Sequence, residues 1–283
     1  MRTKTGRRAF LAVSLTLAVS FGGPARAEDV TVKGSDTMVL LGQKWAEVYM
    51  GKNPDTKIQV TGGGSGTGIA ALANATTDIA ESSRPMKPQE TEAAESKGGG
   101  KVKSLPVALD ALSIYVAKSN PIEEISIPQL RKIYTGAVGN WKEVGGPDRP
   151  INLYSRENNS GTYVFFKEHV LSNDDFDPSA QTLPGTAAVV NAVAKDADGI
   201  GYGGIAYAEG VKRLRVKKDD QSPAVEGTLA NAQSGSYGLS RELFFFYFPG
   251  RRAAADRFAE WTVSPEGQKV VQDVGYYPLP ASK

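Results

Sequence analysis

Three times along this chain a short strand-like run delivers a small polar loop, with a serine in it, to a helix-like run. The first goes from Val30-Thr31-Val32 through Gly34-Ser35-Asp36-Thr37 into Met38, Leu41, Trp45, Val48 and Tyr49. Those apolar residues recur three and four apart, as on one face of a helix. The second goes from Ile58 and Val60, alternating with polar neighbours, through Gly62 to Gly68 around Ser65, into a small-residue helix over Ile69 to Ala75. The third goes from Ile151-Asn152-Leu153-Tyr154-Ser155 through Arg156 to Thr162 and into Tyr163 to Val170. Repeated strand–loop–helix units build parallel α/β sheets, and their ligands bind at the carboxyl ends of the strands. The third loop, Arg156-Glu157-Asn158-Asn159-Ser160-Gly161-Thr162, holds a cation, two hydroxyls and a glycine. A helix start offers outward N–H groups and partial positive charge, so these residues are the make-up of an anion site. Taken alone, the same loop reads equally well as an N-capped helix after a polar turn.

The rest of the chain continues the alternation. Asp78 to Pro85 is a third short strand running into a turn, and Ser104 to Val116 is a long extended run. A helix is expected near Pro128 to Tyr134, a turn at Gly139-Asn140, a helix over Val189 to Val193 and a strand at Ile200-Gly201-Tyr202. Lys217 to Gly235 is polar and reads as loop. Leu243 to Phe248 is a second long strand, apolar on both faces and therefore buried. Arg252 to Trp261 and Glu266 to Val274 are amphipathic closing helices, and no internal repeat is visible.

Residues 1–27 read as a cleaved export signal. Arg2, Lys4, Arg7 and Arg8 precede an apolar stretch from Phe10 to Val19, and Ala25-Arg26-Ala27 is an A-x-A cleavage site. Arg7-Arg8 points to twin-arginine export, with an ordinary export signal as the alternative. The signal carries five of the 33 Lys and Arg and none of the 31 Asp and Glu, which leaves 256 residues at a formal charge of −3. That balance argues against a nucleic-acid partner. With no cysteine there is no disulfide, thiolate metal site or Cys lipid anchor, so stability must come from the core. The single histidine, His169, lies in an apolar helical run and reads as structural, which removes Ser/His/Asp triads and His-based zinc sites. The Gly62–Gly68 loop lacks both the Walker lysine and the dinucleotide glycine spacing. It remains a loop whose backbone can approach a ligand closely.

Together these stretches resemble the periplasmic phosphate-binding proteins of ABC transporters. The matching segments are Gly34 to Thr37, Gly64 to Gly68, Asp78 to Arg84, Arg156 to Thr162, Tyr134-Thr135-Gly136 with Asn140-Trp141, Gly199 to Tyr202 and Ser264 to Gln268. The resemblance implies a two-lobed α/β periplasmic binding protein of type II. Each lobe would be a mixed, mostly parallel sheet flanked by helices, with two strand crossings near Leu105–Leu112 and Ser240–Phe246. Lobe one would be 28–108 and 243–283, and lobe two 109–242. The implied ligand contacts are Ser35, Asp36, Thr37, Ser65, Ser83, Arg156, Ser160, Gly161 and Thr162. Well-known members have an aspartate where this chain has Ser83, an acceptor for the proton of phosphate that excludes sulfate. Asp36 is the nearest acidic substitute, or else a plain helix cap. Arg84 reads as a salt-bridge residue.

The implied function is capture of inorganic phosphate in the periplasm and delivery to an inner-membrane ABC transporter permease. The protein would be a monomer without catalytic residues, cofactor or metal. The alternatives are a receptor for another tetrahedral oxyanion, sulfate or molybdate, and a phosphatase on the same fold. The last lacks an evident nucleophile–base pair in the sequence.

Overall fold

The computed structural model describes residues 28–280, so the expected export signal lies outside the described residues. The chain opens with β1 (Glu28–Gly34), α1 (Val39–Lys52), β2 (Thr56–Thr61), α2 (Ser65–Ala73), β3 (Ile79–Ser82), α3 (Pro88–Gly98) and β4 (Lys103–Ala111). Then come β5 (Ser113–Val116), β6 (Glu124–Ser126), α4 (Ile127–Tyr134), β7 (Asn152–Arg156), α5 (Gly161–His169), β8 (Gln181–Leu183) and α6 (Gly185–Lys195). β9 (Gly199–Gly203), β10 (Lys212–Arg213), β11 (Arg215–Lys217) and α7 (Leu229–Gln233) follow, and β12 (Ser240–Tyr247), α8 (Ala253–Thr262) and α9 (Pro265–Val274) end the fold.

Two five-stranded sheets form, in the orders β2-β1-β3-β12-β4 and β10-β5-β9-β7-β8, with a small β11-β6 pair beside them. In the first sheet β12 pairs antiparallel with both neighbours while β1 pairs parallel with β2 and β3. In the second, β5 pairs antiparallel with β9 and β10 while β7 pairs parallel with β8 and β9. Each sheet thus has a single reversed strand, which is the mixed, mostly parallel two-lobed arrangement expected.

The periodicities explain the layers. Leu41, Trp45 and Tyr49 of α1 are buried against the first sheet, with the Trp45 indole N–H donating to the Gly267 carbonyl at 2.8 Å. β12 is apolar on both faces because both faces are covered. Phe245 and Tyr247 join the main core, and Phe244 and Phe246 join a second cluster with Ile69, Leu72 and Ala94. β4 carries a bulge where its register with β12 skips Val107 next to Pro106, which has no N–H to offer. The freed Val107 carbonyl accepts from the Gln268 side chain at 2.8 Å.

One difference from the sequence reading matters for the site. The extended run Ser104 to Val116 is two strands in different sheets, with the break at Leu112. Its apolar residues are continuous because both sheets are buried there, and Leu112 is pinned by its N–H to the Leu239 carbonyl at 3.0 Å. The chain therefore leaves the first sheet after Ala111 and rejoins it at Ser240. Lys217 to Gly235 also holds the short helix α7, capped by the Thr228 hydroxyl.

Candidate functional site

The turns after β1, β3 and β7 and the starts of α2 and α5 meet where the two sheets face each other. Ser35, Thr37, Ser65, Ser83, Arg156, Ser160 and Thr162 are all at most 2% exposed, which is unusual for residues so polar. Asp36 and Gly161 lie among them, so all nine residues expected at the site come together.

Hydroxyl bookkeeping shows what these groups offer. A hydroxyl has one proton and two lone pairs. Ser160 caps α5, its Oγ accepting from the Thr162 and Tyr163 amides at 3.2 and 3.3 Å. Ser65 Oγ accepts from the Ser83 amide at 3.1 Å. Thr162 Oγ1 accepts from Arg241 Nη2 at 3.0 Å and lies 2.8 Å from Thr37 Oγ1. Ser160, Ser65 and Thr162 thus have lone pairs occupied by protein donors, while one proton of the Thr37–Thr162 pair lies between the two hydroxyls and the other is left to give. Ser83 Oγ sits 3.4 Å from both Ser65 Oγ and Thr162 Oγ1. Helices α2 and α5, each nine residues long, bring their positive ends from opposite sheets to this cluster. Gly161 makes the approach possible, since a Cβ there would lie 2.3 Å from Ser65 Oγ and 2.7 Å from Ser83 Oγ.

Arg156 supplies the fork. Its Nη1 donates to Thr186 Oγ1 at 2.8 Å and its Nη2 to Asp36 Oδ2 at 2.7 Å, while Nε, 3.5 Å from Glu157 Oε2, makes no hydrogen bond among the described residues. With five N–H groups, a guanidinium holding two such bonds keeps donors for an anion. Asp36 is not a helix cap. A turn intervenes, α1 starts at Val39 with Met38 at its cap position, and the Asp36 oxygens take Arg156 and the Gly63 amide, the latter at 2.8 Å. Asp36 is the counter-ion of Arg156, with Glu157 as a second carboxylate on the same guanidinium.

A second carboxyl lies beneath. Glu81 on β3 is fully buried, and neither of its side-chain oxygens has a hydrogen-bond partner among the described residues. Burial first, and the Asp36 charge second, push its pKa well above the usual glutamate range. In its protonated form it adds no negative charge to the site.

Contacts across the cleft extend beyond the expected residues. The Gly66 amide donates to the Asn159 carbonyl at 2.9 Å, and Asn159 Nδ2 donates to the Gly63 carbonyl and Thr67 Oγ1 at 3.0 and 3.1 Å. Tyr207 donates its hydroxyl to the Asp36 carbonyl at 2.7 Å. The sequence reading missed Thr186, Tyr207 and Arg241. Thr186 stands at the start of a helix after Pro184-Gly185, a fourth instance of a hydroxyl at a helix start that could have marked it. Arg84 pairs with Glu90 through two bonds of 2.7 Å, and His169 stacks on Phe165 at 4.0 Å with Nδ1 on the Phe165 carbonyl, so both sit in structural pairings.

Residues 19–266 match the profile of the PBP superfamily domain. The chain is 37% identical over 265 residues to the Phosphate-binding protein PstS of Pseudomonas aeruginosa, covering 88% of this chain and 82% of that one. It is 33% identical over 258 residues to the protein of the same name from Staphylococcus epidermidis, covering 88% and 78%. Among solved structures, a chain from Clostridium perfringens with bound phosphate superposes with a TM-score of 0.82 at 28% identity, covering 89% of this chain and all of that one. An ABC-type phosphate transport receptor from Vibrio cholerae gives a TM-score of 0.71 at 26% identity, covering 89% and 100%.

Proposed function

This chain belongs to the PstS family of phosphate-binding proteins, and from that premise we propose that it captures inorganic phosphate between its lobes and delivers it to an inner-membrane ABC transporter permease. It does so outside the cytoplasm, in the periplasm, as a monomer and without catalysis. The lobes are 28–108 with 243–283, and 109–242, hinged on β4 and β12. Ser35, Asp36, Thr37, Ser65, Ser83, Arg156, Ser160, Gly161 and Thr162 form the ligand shell.

The observation that carries this reading is the convergence of Arg156 and two helix starts from opposite sheets on one cluster of buried hydroxyls. A tetrahedral anion needs donors from several directions, and each charge-assisted bond returns about 1.5–3 kcal/mol against desolvation. No excess of positive charge is required, because oriented dipoles do the binding. Calorimetric titration with phosphate, arsenate, sulfate and molybdate tests the reading. Phosphate and arsenate should bind and the other two should not. Tighter binding of sulfate or molybdate would overturn it.

A second reading, a receptor for another oxyanion, draws support from Ser83 standing where the resemblance calls for an acid. Asp36 already accepts from Arg156 and Gly63, so a proton on phosphate must compete for its remaining lone pairs. Asp36→Asn separates the readings. If Asp36 takes the proton of phosphate, the variant loses discrimination against sulfate. An unchanged ratio removes Asp36 from selectivity.

A further inference from the structure

The two lobe-crossing strands carry a buried ion pair that reaches into the cleft. Asp110 on β4 and Arg241 on β12 face each other in register, at 0% and 7% exposure. Arg241 Nε and Nη2 both donate to Asp110 Oδ2, at 3.0 and 2.8 Å, and Asp110 Oδ1 accepts from the Ile205 amide at 2.9 Å. The guanidinium lies 5.2 Å over the Phe165 ring, and its Nη1 is buried with no hydrogen-bond partner among the described residues. Nη2 makes one further bond, to Thr162 Oγ1.

We propose, on the premise that the cleft binds phosphate, that Arg241 is the second cation of the site and a positioning residue that acts through Thr162. Thr162 has one proton to give. Arg241 takes one of its lone pairs, and the Thr37 hydroxyl, 2.8 Å away, can take the other by donating to it. In that arrangement the Thr162 proton is directed to the anion. Without Arg241 the lone pair is freed, and the Thr162 proton can turn to Thr37 or Ser83 instead. The fork explains why the residue is an arginine. A single ammonium could not hold Asp110 through two N–H groups and Thr162 through a third in one plane. The pair also links the crossing strands to the site, since Ile205 after β9, Asp110 on β4, Arg241 on β12, Thr162 on α5 and Thr37 after β1 form one chain of hydrogen bonds.

A double-mutant cycle tests this. Phosphate is titrated into wild type, Arg241→Gln, Thr162→Val and the double variant, with melting curves alongside. Arg241→Gln leaves Asp110 buried and unpaired, so Asp110→Asn/Arg241→Gln carries the same comparison with a neutral pair should the single variant not fold. The Arg241 change should weaken phosphate by about tenfold or more with Thr162 present, and by less than about threefold once Thr162 is valine. Arg241→Lys should recover only part of the loss. Equal losses in both backgrounds, no loss in either, or full recovery by lysine would overturn the assignment. The wild-type titration alone bears on the phosphate reading; the variant-to-wild-type ratios bear on Arg241.

Discussion

At the scale of single residues, the site separates charge that binds from charge that would repel. Arg156 is 1% exposed and held by Thr186 and Asp36, so its geometry is set before an anion arrives. Arg156→Ala should therefore weaken phosphate by several kcal/mol, about 2–5, since it removes the donors and also leaves Asp36 facing the ligand unpaired. Arg156→Lys should restore only part. Calorimetry measures both, and an alanine variant that binds within a few-fold of wild type would place the anion elsewhere. Glu81 is the complementary case. Its raised pKa means that the folded protein keeps a proton that the unfolded chain has released above the ordinary glutamate range. Its share of stability is thus fully present at acid pH and is lost as pH rises toward the folded-state value. Glu81→Gln, which mimics the protonated acid, should match wild type near pH 4 and be the more stable of the two at alkaline pH. Urea melts across that range would show it, and parallel pH profiles for the two proteins would mean that Glu81 is ionised in the fold.

At the scale of elements, the helix starts were the legible part. Ser, Gly and Arg at strand ends mark a ligand loop by their chemistry, and the structure brings Ser35, Ser65 and Ser160 to one place. What the sequence hides is pairing between distant segments. Arg241 meets Thr162 from 79 residues away, and Arg156 meets Thr186 from 30, through contacts that only the sheet order creates. Even so, Asp110 within the apolar run from Leu105 to Val116, and Arg241 just before another, were signals, because a charge in a buried strand needs a partner. The break at Leu112 left no such signal, since burial on both sides looks the same in either sheet. Helix α5 gives the prediction at this scale. Gly161→Ala should raise helix propensity by up to about 1 kcal/mol, yet push its Cβ onto Ser65 and Ser83 when the lobes meet. Thermal stability should hold while phosphate affinity falls by about a hundredfold, because each blocked charge-assisted bond costs roughly 1.5–3 kcal/mol. Undiminished affinity would show that α5 and those serines need not touch in the bound state.

For the whole molecule, the chain passes between the two sheets after β4 and before β12, and on the proposed function the lobes hinge there, with the cleft contacts setting how far they close. Some of those contacts do not depend on the anion. Asn159 is exposed, and its carbonyl and side-chain amide reach Gly66, Gly63 and Thr67 across the cleft. Such a latch favours the closed form with or without ligand, so it acts on affinity only through the closed population. Asn159→Ala removes two side-chain bonds, worth about 0.5–1.5 kcal/mol each and less at an exposed site. The free protein should then be more open, with a larger radius of gyration by small-angle scattering, while the phosphate-saturated radius stays that of wild type. Phosphate and arsenate should weaken by the same factor, roughly fivefold or less, because a population term multiplies every dissociation constant alike. Residues that touch the anion should instead change the ratio between the two. A radius insensitive to phosphate in both the wild type and Asn159→Ala would count against hinge closure. Unequal factors for the two anions in Asn159→Ala would place that side chain on the ligand and not on the latch.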